Sequence, residues 1–169
     1  MCIRDRPWYE NTAADISAAR SRMAYGSLLS GITLAQCGLG SVHGLASPLG
    51  AFYPIPHGVV CGTLVASCTR INIEALQRRD PSGPALDKYA RAAEILCDRK
   101  FDNREGAWQA LIDLLSEWTV RLNLPGLGTY GIDGDALEPI VAHSRGSSMK
   151  TNPIVLTDDE IKNCMRERL

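Results

Sequence analysis

Two histidines, His43 and His57, stand fourteen residues apart in the stretch GLGSVHGLASPLGAFYPIPHGVVCGTL that runs from Gly38 to Leu64. A neutral imidazole nitrogen is a good ligand for a divalent metal. The neighbours Gly40, Gly44, Ala46, Gly50 and Gly58 are small, so backbone or a ligand can approach closely. His57 follows Pro56 where a helix is expected to begin, and two imidazoles presented from adjacent helices across a tight turn can converge on one metal ion. The bare spacing fits two core or surface histidines equally well, and a working centre needs at least a third protein ligand. His143 offers one, but at the end of a short helix it reads first as a partner for the helix dipole. Asp15, Glu74 and Asp87 supply carboxylates that no spacing selects. The six cysteines, Cys2, Cys37, Cys61, Cys68, Cys97 and Cys164, form no CxxC pair and read as reduced, mostly buried small hydrophobes.

The elements that must carry these residues show a helical period. From Asp15, the residues Ile16, Ala19, Met23, Ser27, Ser30 and Leu34 recur at helical spacing, while Ala24, Gly26, Gly31 and Ala35 keep a second face small. Burial on more than one side is expected for this helix, with Gly38 and Gly40 ending it. Val59 to Leu76 repeats the period through Val60, Leu64, Cys68, Ile71 and Ala75, and Asp80-Pro81-Ser82-Gly83 closes it with a turn. Pro84 suits the first turn of the next helix, whose stripe is Leu86, Tyr89, Ala93 and Leu96. A helix from about Arg104 to Leu122 turns Trp108, Leu111, Leu115, Trp118 and Leu122 inward. Asp133 is expected to cap a short helix toward His143 that Pro139 bends or shortens. Thr157-Asp158-Asp159-Glu160 fits a capping box for a last helix that reaches almost to Leu169. The fold class expected is an all-α, bundle-like domain of about six to seven helices, with no confident strand.

Composition narrows the function. The chain has 169 residues, 45% of them hydrophobic, enough for one core. Its 18 Lys+Arg balance 19 Asp+Glu, so the net charge of −1 gathers neither nucleic acid nor an anionic membrane. No uninterrupted apolar run approaches bilayer length, and Met1 to Glu10 lacks an apolar signal core, so a cytoplasmic location is expected.

The run His43-Gly44-Leu45-Ala46-Ser47-Pro48-Leu49-Gly50-Ala51-Phe52-Tyr53, followed by Pro56-His57-Gly58, closely resembles the signature of the iron-dependent (group III) alcohol dehydrogenases. Residue identities and the spacing of both histidines agree together. The small-residue helix before it, the Asn-Pro turn in Ser148 to Pro153 and the closing helix from Thr157 extend the resemblance from about Asn11 to Leu169. The resemblance implies the helical C-terminal domain of an enzyme that interconverts an alcohol and an aldehyde or ketone with NAD or NADP. Its divalent iron, sometimes zinc, is held by one Asp and three His. Carried across, His43 and His57 match the last two His ligands, and nothing in Met1 to Asp15 matches the Asp-x-x-x-His helix that supplies the others. Ser47 stands where many members carry a second His that relays a proton. A hydroxyl there can hydrogen-bond to substrate or water but cannot serve as an imidazole acid/base. Phe52 and Tyr53 are candidates for the substrate wall, and Gly58 and Gly62 for close packing at the cleft.

In that family a dinucleotide domain precedes the helical one, and this sequence has no strand, Gly-rich turn and helix to cradle a pyrophosphate. The expected organisation is a ragged end over residues 1–10 and a helical metal-binding domain over 11–169, with the N-terminal nucleotide domain absent. The intact protein is expected to form a homo-oligomer, as family members commonly do. Two His alone predict weak iron retention, and the chain by itself is expected to be inactive. The rival readings are a metal-free helical interaction module and a relative of glycerol dehydrogenase or dehydroquinate synthase.

Overall fold

The computed structural model describes residues 16–169. They form eight α-helices and one 3-10 turn, with no strand among them, as the helical period leads one to expect. The number slightly exceeds the six or seven expected because short turns of helix escape a period-based reading. The region expected as a ragged end, residues 1–10, lies outside the described residues. The chain divides into two units, Met1–Gly38 and Leu39–Leu169.

In the first unit the described element is α1, Ile16–Cys37. Gly38 ends it with φ 73°, a left-handed conformation that glycine adopts without a Cβ clash. The expected burial on more than one side is not found. Tyr25, Leu28, Leu29, Ile32 and Leu34 are exposed, and Ala19 is the one buried residue of the helix. Periodicity identifies which residues share a face, whereas covering that face depends on a partner that local sequence does not name.

The second unit is built around α3, His57–Arg79. Before it comes α2, Ser41–Phe52, and after it α4, Pro84–Cys97, and α5, Arg104–Arg121. A 3-10 turn at Leu127–Tyr130 leads to α6, Leu137–His143, α7, Ser147–Lys150, and α8, Asp158–Arg166. One flank of α3 faces α2 and α8, where Leu45, Leu49, Val60, Leu64, Ile71, Ile161 and Met165 make the main core. Its other flank meets α4 and α5 through Ile73, Leu76, Leu86 and Trp108, whose indole N–H donates to the Leu86 carbonyl at 2.9 Å. Each fully buried Leu or Ile contributes about 1.5–3 kcal/mol, so α3 carries stabilisation from both flanks at once. This helix is long and apolar enough to cross a membrane, but 61% of its apolar window is buried inside the protein, as befits a central core helix.

Local chemistry explains most boundaries. Pro84 opens α4 at its first position, where the missing N–H costs no hydrogen bond. The Asn103 side chain caps α5 by accepting from the Gly106 amide at 2.7 Å. Thr157 and Glu160 form the expected capping box of α8, although that helix stops at Arg166. Asp133 behaves differently from the expectation. Its carboxylate accepts from the amides of Asp135 and Ala136, closing a turn before the helix, and α6 starts only at Leu137 with Ala136 as its cap. Pro139 falls in the first turn of α6, where its missing N–H breaks no intrahelical hydrogen bond.

Candidate metal centre

His43 owes its place to a polar knot at the start of α2. The Leu39 amide donates to the Thr151 hydroxyl at 3.0 Å, which donates back to the Leu39 carbonyl at 2.7 Å. The Ser41 amide, one of the donors a helix start leaves open, donates to Asn152 Oδ1 at 2.9 Å. Asn152 is in turn fixed by α3, donating to Asn72 Oδ1 at 2.7 Å, while Asn72 donates to the Ser41 hydroxyl at 3.2 Å. The Asn-Pro turn thus ties the first turn of α2 to the middle of α3. Further along, α2 lies close to α7 because residue 44 is glycine: a Cβ there would stand 2.8 Å from Met149 Cε and 3.2 Å from the Ser144 carbonyl.

His57 is the first residue of α3, set by Pro56, whose carbonyl accepts from the Val59 and Val60 amides. Residue 61 lies one helical turn on and therefore on the same face. The result is a cluster absent from the sequence reading: Cys61 Sγ lies 3.7 Å from His43 Nε2 and 3.5 Å from His57 Nε2. All three donor atoms fall within 4.8 Å of one another, with the imidazole rings tilted by 53° at 5.3 Å between centroids. Burial, with the nearby His57 adding to it, holds the His43 imidazole below its ordinary pKa, so it is neutral at pH 7 as a ligand must be. Burial also pushes the Cys61 thiol up, with Cys68 contributing.

A cleft of about 340 Å³ opens beside the cluster, lined among others by Val42, His43, Cys61, Cys68, Asn72 and Tyr89. The other residues singled out from sequence are placed as follows. Ser47 is exposed one turn beyond His43 on α2. Phe52 is 49% exposed and meets the His143 ring edge-on at 5.2 Å, while Tyr53 packs against the main core. His143 ends α6, its Nδ1 2.8 Å from the Pro139 carbonyl, outside the metal-ligand cluster and in keeping with the helix-end reading. Gly62 is a close-packing position, where a Cβ would stand 2.7 Å from Leu124 Cδ1, but Gly58 has nothing within 4 Å of its would-be Cβ. Only Cys68 and Cys164 of the described cysteines are buried; Cys37 is exposed and Cys61 and Cys97 are half-buried.

The signal for Cys61 was present as His-x-x-x-Cys in a helical stretch. Neither a CxxC spacing nor a disulfide pattern marks it.

Known proteins resemble this chain in sequence and in fold. Residues 8–169 match the Fe-containing alcohol dehydrogenase family, C-terminal. The chain is 35% identical over 149 residues to alcohol dehydrogenase 4 of Schizosaccharomyces pombe, covering 85% of this chain and 32% of that protein. It is 32% identical over 120 residues to 1,3-propanediol dehydrogenase of Klebsiella pneumoniae, covering 68% of this chain and 29% of that protein. The crystal structure of a 1,3-propanediol oxidoreductase superposes with a TM-score of 0.80 at 25% identity, covering 94% of this chain and 40% of that one. The chain thus spans about a third of the length of the curated relatives it matches. With an all-α architecture that superposes on a solved relative and a match over nearly its full length, the chain belongs to the Fe-containing alcohol dehydrogenase family and corresponds to its C-terminal domain.

Proposed function

We propose that this chain is the metal-holding helical part of an NAD(P)-dependent alcohol dehydrogenase acting on a small alcohol or its aldehyde or ketone, with His43 and His57 as ligands of a divalent iron or zinc. The observation that carries the reading is the convergence of two imidazoles from the starts of α2 and α3, with a third donor, within 4.8 Å. These residues fit such an ion: both nitrogens are Nε2 atoms aimed at a common sulfur neighbour, and His43 is held neutral. A bound divalent ion supplies Lewis acidity toward an alcohol or carbonyl oxygen.

The chain's own residues do the rest. The Asn152 knot fixes the direction of α2 and hence of His43, and Pro56 fixes the start of α3 and hence of His57. Ser47, one helical turn after His43 on α2, would offer its hydroxyl as a hydrogen-bonding group to substrate or water. Hydride transfer needs a nicotinamide cradle, ordinarily a strand, Gly-rich turn and helix, and the described residues contain no strand. By itself, therefore, the chain is expected to hold a metal without oxidising alcohols.

The test is calorimetric titration of the purified chain with Zn²⁺ and, anaerobically, with Fe²⁺. Wild type is expected to bind one ion and the His43→Ala/His57→Ala double variant none. Equal binding by both proteins would remove the ligand assignment.

A further inference from the structure

We propose that Cys61 is a third protein ligand and that its thiolate turns this site into a two-nitrogen, one-sulfur centre preferring Zn²⁺ or Co²⁺ over Fe²⁺. The inference rests on the reading of His43 and His57 as ligands and adds a donor which that reading does not contain.

Geometry carries it. Zinc binds imidazole nitrogen at about 2.0–2.1 Å and thiolate sulfur at about 2.3 Å, so two such ligands at the tetrahedral angle stand about 3.6 Å apart. The two observed separations, 3.7 Å to His43 Nε2 and 3.5 Å to His57 Nε2, bracket that value. Both histidines present the same nitrogen toward the sulfur, and all three donor atoms lie within 4.8 Å of one another. The placement is also rigid: His57 and Cys61 share one face of α3, the core helix, and His43 is held by the Asn152 knot. The nearby cleft is lined by His43 and Cys61, leaving a route for an ion or a fourth ligand. Three protein ligands with an open position are the arrangement of catalytic zinc sites, and thiolate is a soft donor that favours zinc and cobalt over ferrous iron. On binding, the S–H bond is replaced by a metal–sulfur bond and the proton passes to the buffer, with no change of oxidation state.

The experiment adds Co²⁺ to the purified, reduced chain, follows the near-ultraviolet sulfur-to-cobalt charge-transfer band, and then displaces cobalt with Zn²⁺ in competition with a chelator. Wild type is expected to show the band at one ion per chain. Cys61→Ser is expected to lose the band and to bind zinc at least about tenfold more weakly, the lower end of what even an outer-shell change costs. Because a variant can fold poorly, the wild type is also alkylated with iodoacetamide, with and without Zn²⁺, and read by mass spectrometry. Zinc is expected to protect Cys61 while Cys37 and Cys97 react as before. Cobalt binding without the band, or zinc binding that leaves Cys61 alkylation unchanged, overturns the thiolate ligand. If binding is then still lost in the His43→Ala/His57→Ala variant, the histidine assignment stands without Cys61. If that variant keeps the metal, the histidine assignment itself fails.

Discussion

His43, His57 and Cys61 show how much a site depends on single positions. Had residue 61 been one place earlier or later on α3, its side chain would have rotated about 100° away from the His57 face. Gly44 is the matching position on α2, since its lack of a side chain lets the helix approach Met149 and the Ser144 backbone. Gly44→Val is expected to destabilise the domain by about 1–3 kcal/mol, the usual cost of overpacking, as measured by urea unfolding. Metal affinity should fall with it, because α2 must shift. Gly58→Ala, at a position with open space, should stay within about 0.5 kcal/mol of wild type apart from the gain in helix propensity. The histidines were legible in the sequence because residue identity and spacing agreed together. Cys61 was not, because its meaning rests on a helical turn bringing it back over His57 and on α2 lying alongside.

At the scale of elements, caps and polar knots decide where helices start and therefore where ligands point. Asn152→Ala removes the acceptor for the Ser41 amide and the partner of Asn72. A loss of about 1–3 kcal/mol is expected for these unsatisfied groups, together with weaker metal retention, measured by thermal melts with and without Zn²⁺. Glu160 is a second such point. Burial alone would raise its carboxyl pKa, but Arg79, the Thr157 amide and Arg78 outweigh burial and hold it below the ordinary value. A depressed folded-state pKa means stabilisation that is present above the unfolded value of about 4.3 and is lost as pH falls through the folded value. Glu160→Gln is therefore expected to be less stable than wild type by about 1–3 kcal/mol at pH 7, with the difference shrinking as both are acidified below about pH 4. A difference that grows on acidification would contradict that sign. The capping box of α8, Pro84 at the start of α4 and Pro56 before α3 were all readable because their chemistry is local. The start of α6 differs from the expectation because Asp133 can cap either a helix or a turn, and only the following backbone decides between them.

For the whole molecule, sequence and structure agree on fold class and differ on cover. The apolar residues of α1 are spaced as a helix to be buried, yet most of its large side chains are exposed. A helical period specifies a surface, and the partner for that surface is a long-range matter that no local pattern encodes. The match over residues 8–169 begins close to Asn11, where the resemblance itself begins. As the chain spans about a third of its curated relatives, we expect the purified polypeptide to show no NAD(P)-dependent oxidation of a small alcohol such as 1-propanol, assayed by nicotinamide absorbance. Turnover above background would show that the chain binds nicotinamide by residues not identified as a cofactor site.

Whether the starts of α2 and α3 form a metal centre is decided by metal content. After incubation with Zn²⁺ and desalting, elemental analysis by mass spectrometry is expected to find one zinc per wild-type chain and none on a folded His43→Ala/His57→Ala variant. Equal zinc on both, or none on the wild type, would rule out a metal centre held by these histidines.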